Sequence, residues 1–280
     1  MKAYGVAVEQ RAMDNILEVR NLSKKFGPLT VVNAVSLGIG RGEVFGVVGP
    51  NGAGKTTIIK MLTTLLPPTS GEATIGGFDV RLDAPKIRRI IGYVPQLLSA
   101  DGNLTGYENL LVFARLYDIP RREISKRIGD SLEFMDLTDS AGRLVKTYSG
   151  GMIRRLEITQ AVLHRPLILF LDEPTVGLDP IARESVWEYV KALAENGTTV
   201  LMTTHYMEEA DAMCGRIAIL NKGNIAAIGS PAELKLSIGA AGADLNQVFD
   251  FYAGKGSDSD ESRGSFRDVS RTRRDAKRLG

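Results

Sequence analysis

The nine residues Gly49-Pro50-Asn51-Gly52-Ala53-Gly54-Lys55-Thr56-Thr57 leave this chain few folds to choose from. They fit G-x-x-x-x-G-K-[ST] without a gap, follow the apolar run Val44-Phe45-Gly46-Val47-Val48 and lead into Ile58-Ile59-Lys60-Met61-Leu62. Strand, loop and helix in that order are the setting in which the pattern cradles phosphate. Glycines are needed because backbone N–H groups must close around phosphate oxygens, where a Cβ would intrude. The helix start adds unsatisfied N–H groups and a partial positive charge. Lys55 then reaches the β- and γ-phosphates, and the Thr56 hydroxyl is a ligand for Mg²⁺. A dinucleotide reading of Gly38-Ile39-Gly40 fails, because Glu43 stands where the third glycine belongs.

A second segment, Leu167-Ile168-Leu169-Phe170-Leu171-Asp172-Glu173-Pro174, begins as a continuous apolar run of strand length. Such a run suits a parallel strand buried on both faces. Two adjacent carboxylates at its end are costly to bury unless a cation or a proton uses them. The natural division puts Asp172 toward Mg²⁺, through water, and Glu173 toward an attacking water as general base. A third segment, Tyr148-Ser149-Gly150-Gly151-Met152, precedes a stretch read as amphipathic, with Ile153, Leu156, Ile158 and Val162 at apolar positions. Its two glycines at a helix start again suggest amides aimed at an anion.

With these three segments in this order, the chain resembles the ATP-binding cassette subunit of an ABC transporter from about Ile16 to Pro231. The resemblance implies ATP and Mg²⁺ as ligands and a second cassette, identical or a sister chain. Ser149, Gly150 and Gly151 would then bind the ATP held by the opposite subunit. Tyr148 and Met152 stand where Leu and Gln are commonest, so Met152 is expected to make no contact. Gln96, in Gly92-Tyr93-Val94-Pro95-Gln96, matches the glutamine that touches the metal, and His205 matches the histidine that touches the γ-phosphate. Alone, a loop Gln or a strand-end His would mean little. Asp179, in Gly177-Leu178-Asp179-Pro180, falls in the loop that crosses the dimer interface near Glu173. Phe26 falls where an aromatic ring stacks on adenine, with a plain core residue as the alternative reading.

The implied fold is α/β: a P-loop NTPase core with a mostly parallel sheet and flanking helices, an antiparallel β subdomain and a helical subdomain. Expected boundaries are an N-terminal extension over 1–15, the cassette over 16–235 with its helical part near 97–155, a short helical segment over 236–254, and a disordered basic tail over 255–280. Strands are expected at Leu17-Glu18-Val19, Ala34-Val35-Ser36-Leu37, Glu72-Ala73-Thr74-Ile75 and Thr199-Val200-Leu201-Met202. Helices are expected at Asn109–Leu116 and within Ile124–Asp136. Leu245, Val248, Phe249 and Tyr252 repeat at i, i+3, i+4, i+7, one apolar helix face. The tail carries Arg271, Arg273, Arg274, Lys277 and Arg278, which reads as a solvated segment. Contact with anionic lipid is the weaker alternative.

Composition narrows the partners. Among 280 residues, 44% hydrophobic and 24% charged content is that of a soluble globular chain, and a net charge of +2 does not by itself argue for nucleic acid. One cysteine, Cys214, and two histidines rule out a disulfide framework and make a zinc site implausible; Cys214 reads as a packed residue. No apolar stretch approaches the ~20 residues that span a bilayer. The resemblance therefore implies a peripheral subunit on the cytoplasmic face of the membrane, under a multi-span permease. Variants such as Tyr148 and Met152 resemble the drug-resistance and polysaccharide-export cassettes, so export of a drug, antibiotic, lipid or glycan is favoured over import. The competing reading is a soluble ABC-type switch acting on ribosomes or DNA. It fits poorly, because Thr57 to Tyr148 holds no heptad run.

Overall fold

A computed structural model describes residues 15–239 and 242–254. The expectations for the N-terminal extension and the basic tail fall almost wholly outside the described residues. Two sheets organise the rest. The larger has strand order β10-β9-β3-β8-β7-β6, built from β3 (Val44–Val48), β6 (Ile91–Val94), β7 (Ile168–Asp172), β8 (Thr199–Thr204), β9 (Arg216–Asn221) and β10 (Asn224–Gly229). All its pairings are parallel except the β9–β10 hairpin. The smaller is antiparallel, order β2-β1-β4-β5, from β1 (Asn15–Phe26), β2 (Leu29–Gly40), β4 (Ser70–Ile75) and β5 (Phe78–Asp79).

Side-chain alternation explains how one apolar run feeds two cores. Ile168 and Phe170 of β7 point to one side, Leu169 and Leu171 to the other. On β8, Leu201 joins the first set while Val200 and Met202 join the second, and β9 divides Ala218 and Leu220 from Ile217 and Ile219 in the same way. A strand with a period of two, buried on both faces, must be apolar at every position. The first core lies between the two sheets and takes in α1 (Lys55–Leu62) and α2 (Ala84–Ile90). The second lies under α3 (Gly106–Leu116), α4 (Arg121–Phe134), α5 (Gly150–Val162), α6 (Pro180–Glu195), α7 (Met207–Met213), α8 (Pro231–Ser237) and α9 (Leu245–Tyr252).

Most sequence expectations are met within a few residues. β1 and β2 run to 12 residues each, well beyond the cores read at 17–19 and 34–37. Their pairing is repeatedly interrupted by register shifts. Those irregularities break the simple alternation by which a strand end is read. On α9, Leu245 and Val248 are buried and Phe249 and Tyr252 half-buried, as the apolar spacing predicts. A capping box starts this helix, with Asp244 accepting from Gln247 N–H and the Gln247 side chain answering.

One reading is corrected. The stretch after Ser149 is a helix, but not an amphipathic one. α5 buries Arg154 and every residue from Leu156 to Ala161, polar ones included. It is wedged between α3, α4, α6 and β6, so most of its buried polar groups find partners inside the protein, while Arg154 Nε has none among the described residues. Close approach to β6 depends on Gly92, where a Cβ would stand 2.3 Å from the Ala161 carbonyl oxygen. α5 also runs through the expected edge of the helical part at residue 155.

Candidate active site

Four neighbouring parallel strands end at one edge of the large sheet, and each delivers a residue to the same place. Val48 of β3 lies level with Thr204, Asp172 with Thr203, and Val94 with Leu171. The phosphate loop therefore leaves β3 beside the carboxylates of β7, the Gln96 loop after β6 and His205 after β8. Ligands of open α/β sheets bind at this carboxyl edge.

The loop's glycines have specific work. Gly54 sits at φ 107°, immediately before α1, a conformation that side-chain-bearing residues avoid. A Cβ on Gly49 would lie 2.3 Å from the Leu220 carbonyl oxygen. Lys55, buried at the start of α1, donates to the Gly49 and Pro50 carbonyls at 2.8 and 3.1 Å and pairs with Glu173 Oε1 at 3.0 Å. A cavity of about 300 Å³ opens here, lined by Val31, Asn51, Gly52, Gly54, Lys55, Thr56, Thr57, Gln96 and Glu173.

Asp172 is 1% exposed. Its Oδ1 accepts from Thr203 Oγ1 at 2.7 Å and from Thr56 Oγ1 at 3.1 Å. Its Oδ2 is buried with no hydrogen-bond partner among the described residues. Burial raises the Asp172 pKa, the two hydroxyl bonds lower it, the Glu173 charge raises it and Lys55 lowers it. The same neighbourhood acts on Tyr93, whose hydroxyl is pushed up to about 12 by burial and then by the Asp172 charge.

Glu173 is the point of convergence. Gln96 Nε2 donates to its Oε2 at 3.1 Å, and His205 Nδ1 lies 3.3 Å from the same oxygen without hydrogen-bond alignment. Its backbone N–H bonds both the carbonyl and the hydroxyl of Thr203, at 3.1 and 3.0 Å. The residue adopts φ 50°, unusual for a side chain other than glycine and held here by those contacts. A carboxylate so placed beside a phosphate loop can accept a proton from a water at the loop.

These residues fit Mg²⁺. The unpartnered Asp172 Oδ2, the Thr56 hydroxyl and the Gln96 side chain are oxygen donors suited to a hard cation. Among the described residues no group of three or more His, Cys, Asp or Glu side chains could hold a metal.

The remaining sequence-derived residues sit apart from this cavity. Ser149 caps α5, accepting from Met152 N–H at 3.3 Å, and both it and Gly150 are exposed. Asp179 caps α6, accepting from Ala182 N–H at 2.9 Å, and is exposed too. The two helix starts touch each other: a Cβ on Gly151 would lie 2.8 Å from Ala182 Cβ. Phe26 is 47% exposed with the Lys24 ammonium 5.2 Å from its ring centre, and it does not line the cavity. Thr203 and Val31 were not foreseen. Thr203 had a signal, a hydroxyl residue at the buried end of an apolar strand two positions before His205.

A family model described as ABC transporter matches residues 32–176, which carry the phosphate loop, the Ser149 helix start and both carboxylates. The chain belongs to the ABC transporter family. This ABC cassette is 42% identical over 224 residues to the linearmycin resistance ATP-binding protein LnrL of Bacillus subtilis (strain 168), covering 80% of this chain and 72% of that protein. It is 44% identical over 224 residues to the daunorubicin/doxorubicin resistance ATP-binding protein DrrA of Streptomyces peucetius, covering 80% and 68%. A solved ATP binding subunit of an ABC transporter superposes with a TM-score of 0.77 at 29% identity, over 85% of this chain and 99% of that one. The cassette binds and hydrolyses ATP.

Proposed function

We propose that this ABC ATPase powers an exporter, working at the cytoplasmic face of a membrane with a multi-span permease and a second cassette. Its relatives are named for resistance to linearmycin and daunorubicin, which supports a drug- or antibiotic-like cargo. Among the described residues no helix is long and apolar enough to cross a membrane. A soluble switch on ribosomes or DNA is not what these relatives favour. The cassette proper spans 16–235, with its helical part near 97–155 turned to the permease.

One observation carries the hydrolytic reading: Lys55, Gln96 and His205 all meet Glu173 at the mouth of the phosphate loop. ATP lies with its phosphates in the amides of Gly49–Thr57, and Phe26 offers its exposed ring to adenine. Thr56, Asp172 and Gln96 would hold Mg²⁺, which supplies charge neutralisation at the β- and γ-oxygens. Glu173 takes a proton from water, the water oxygen bonds the γ-phosphorus, and the bond to the β-phosphate oxygen breaks, leaving ADP and phosphate. Lys55 follows the phosphate charge, and His205 fixes the γ-phosphate. Ser149, Gly150 and Asp179, exposed on adjoining helix starts, and the buried Gly151 beside them form the face toward the nucleotide of the partner cassette.

Glu173→Gln keeps the shape and removes the base, so ATP binding persists while turnover falls by about 10²–10⁴. Purifying that variant in mild detergent with ATP should retain a closed pair of cassettes and a multi-span protein. Wild-type turnover in Glu173→Gln would refute the assignment.

A further inference from the structure

Three residues of α5 form a buried polar row that holds the Gln96 loop by its backbone. Arg154, 1% exposed, donates from its two terminal nitrogens to the Pro95 and Gln96 carbonyls at 2.8 and 2.9 Å. It pairs with Glu157, 2% exposed, at 3.0 Å. Glu157 Oε1 in turn accepts from Ser99 N–H, from Ser99 Oγ at 3.1 Å and from Ala100 N–H at 3.3 Å. One turn on, Gln160 donates to Asn109 Oδ1 at 3.3 Å, and Asn109 holds Asp101 through both its N–H and its carbonyl. Positions 154, 157 and 160 share one helix face. Directly or through Asn109 they bond Pro95, Gln96, Ser99, Ala100 and Asp101, pinning both sides of the exposed Leu97-Leu98 pair.

Stability alone does not account for this row. A buried ion pair is often replaceable by apolar residues at no loss. What an apolar pair cannot do is grip two consecutive carbonyls, which the planar fork of arginine does and a lysine does not. The carbonyls gripped belong to Pro95 and Gln96, and the Gln96 side chain lies 3.1 Å from Glu173. α5 is also the helix that begins at Ser149-Gly150-Gly151.

We propose that Arg154, braced by Glu157, is a positioning residue that sets Gln96 against Glu173, tying the Gln96 loop rigidly to the helix that starts at Ser149. This rests on the reading of Gln96 as a residue of the hydrolytic site. Arg154 touches no reacting atom, so its removal moves kcat rather than ATP affinity.

The test is a double-mutant cycle on the full purified chain, reading steady-state ATPase kcat and KM. Arg154→Lys keeps the charge for Glu157 and loses the fork; kcat should fall about 10- to 100-fold, the size usual when a group orienting a metal-site ligand is removed. KM for ATP should stay within about threefold of wild type, since binding is uniform between the two proteins. In a Gln96→Ala background the same Arg154→Lys change should cost nothing further, because residues acting as a unit are not additive. If Arg154→Lys fails to fold, Arg154→Met with Glu157→Gln removes both charges while keeping the acceptor for Ser99 and Ala100, and enters the cycle in its place. Wild-type kcat in the Arg154 variant overturns the proposal. So does an equal fold-loss in both backgrounds with Gln96→Ala itself impaired, which would leave the site reading standing. An unimpaired Gln96→Ala would overturn the site reading, and the proposal with it.

Discussion

Thr203→Val tests whether the buried hydroxyl on β8 organises the metal end of the site. Valine reproduces the shape of threonine but not its hydroxyl, so the change deletes hydrogen bonds with little change of volume. Two are at stake: Thr203 Oγ1 donates to Asp172 Oδ1 at 2.7 Å and accepts from Glu173 N–H at 3.0 Å. The first, to a charged acceptor, is worth about 1.5–3 kcal/mol. The second costs less to lose, because the Glu173 N–H keeps the Thr203 carbonyl at 3.1 Å and is not orphaned. The sum is about 2–4 kcal/mol, the smaller part from the bond that has a substitute. For a domain of this size that lowers the melting temperature by about 4–16 °C.

The same bond carries a pH signature. Burial holds the Asp172 pKa above its ordinary 3.8, and the Thr203 bond is among the contributions pulling it down. A carboxyl raised in the folded state contributes stability that is full below the unfolded value and lost as pH rises through the folded one. Removing the Thr203 hydroxyl raises the value further. The acid limb of the ATPase profile in saturating Mg²⁺ should therefore move to higher pH in Thr203→Val, and Thr203→Ser should restore it. Urea melts near neutral pH and ATPase rates across the acid range read both effects. An unchanged midpoint with an unchanged acid limb would refute the reasoning.

Lys55→Ala should abolish ATP binding and, by stranding the buried Glu173 carboxylate, destabilise the fold by about 3–5 kcal/mol. Adding Glu173→Gln should recover most of that stability and none of the binding; denaturant melts and nucleotide titration of both variants check it, and equal melts for the two would count against the pair. His164 stacks on Tyr117 with ring centres 3.7 Å apart and bonds the Ile91 carbonyl at 3.0 Å. Burial lowers its pKa from 6.5 to about 4, so it contributes stability above pH 6.5 that is lost as pH falls through 4. His164→Phe should flatten the loss of unfolding free energy over that window, and an unaltered slope would exclude His164 as its source.

The central strands and the phosphate loop were legible because their signals are local. A strand buried on both faces must be apolar throughout, as Ile168–Leu171 is, and a loop that wraps phosphate needs glycine at Gly49 and Gly54 whatever surrounds it. Asp172 and Glu173 were legible because paired carboxylates after such a strand demand a cation or a proton. Arg154, Glu157, Thr159 and Gln160 were not. They lie in a stretch read as amphipathic from Ile153, Leu156, Ile158 and Val162, and only the packing of α3, α4, α6 and β6 around α5 makes them interior. Thr203 was hidden for a related reason: threonine is common in strands, and its role depends on the β7–β8 register that sets it level with Asp172.

The backbone at Glu173 joins these two kinds of information. Its φ of 50° immediately before Pro174 could not be read from sequence, since a residue before proline favours extended geometry. A strained backbone of this kind costs about 1–3 kcal/mol and persists only where neighbours over-determine it. Here the determinants are the Thr203 carbonyl and hydroxyl on its N–H, Lys55 on one carboxylate oxygen and Gln96 on the other. Lys55 is the contact that ATP must reclaim, because the ammonium's neighbours are Gly49, Pro50 and Glu173. When the phosphates draw Lys55 away, Gln96 and the Thr203 pair are what keep the carboxylate aimed at the loop. Of these, Gln96 was legible in the sequence, whereas the Thr203 grip on Glu173 exists only through the β7–β8 register.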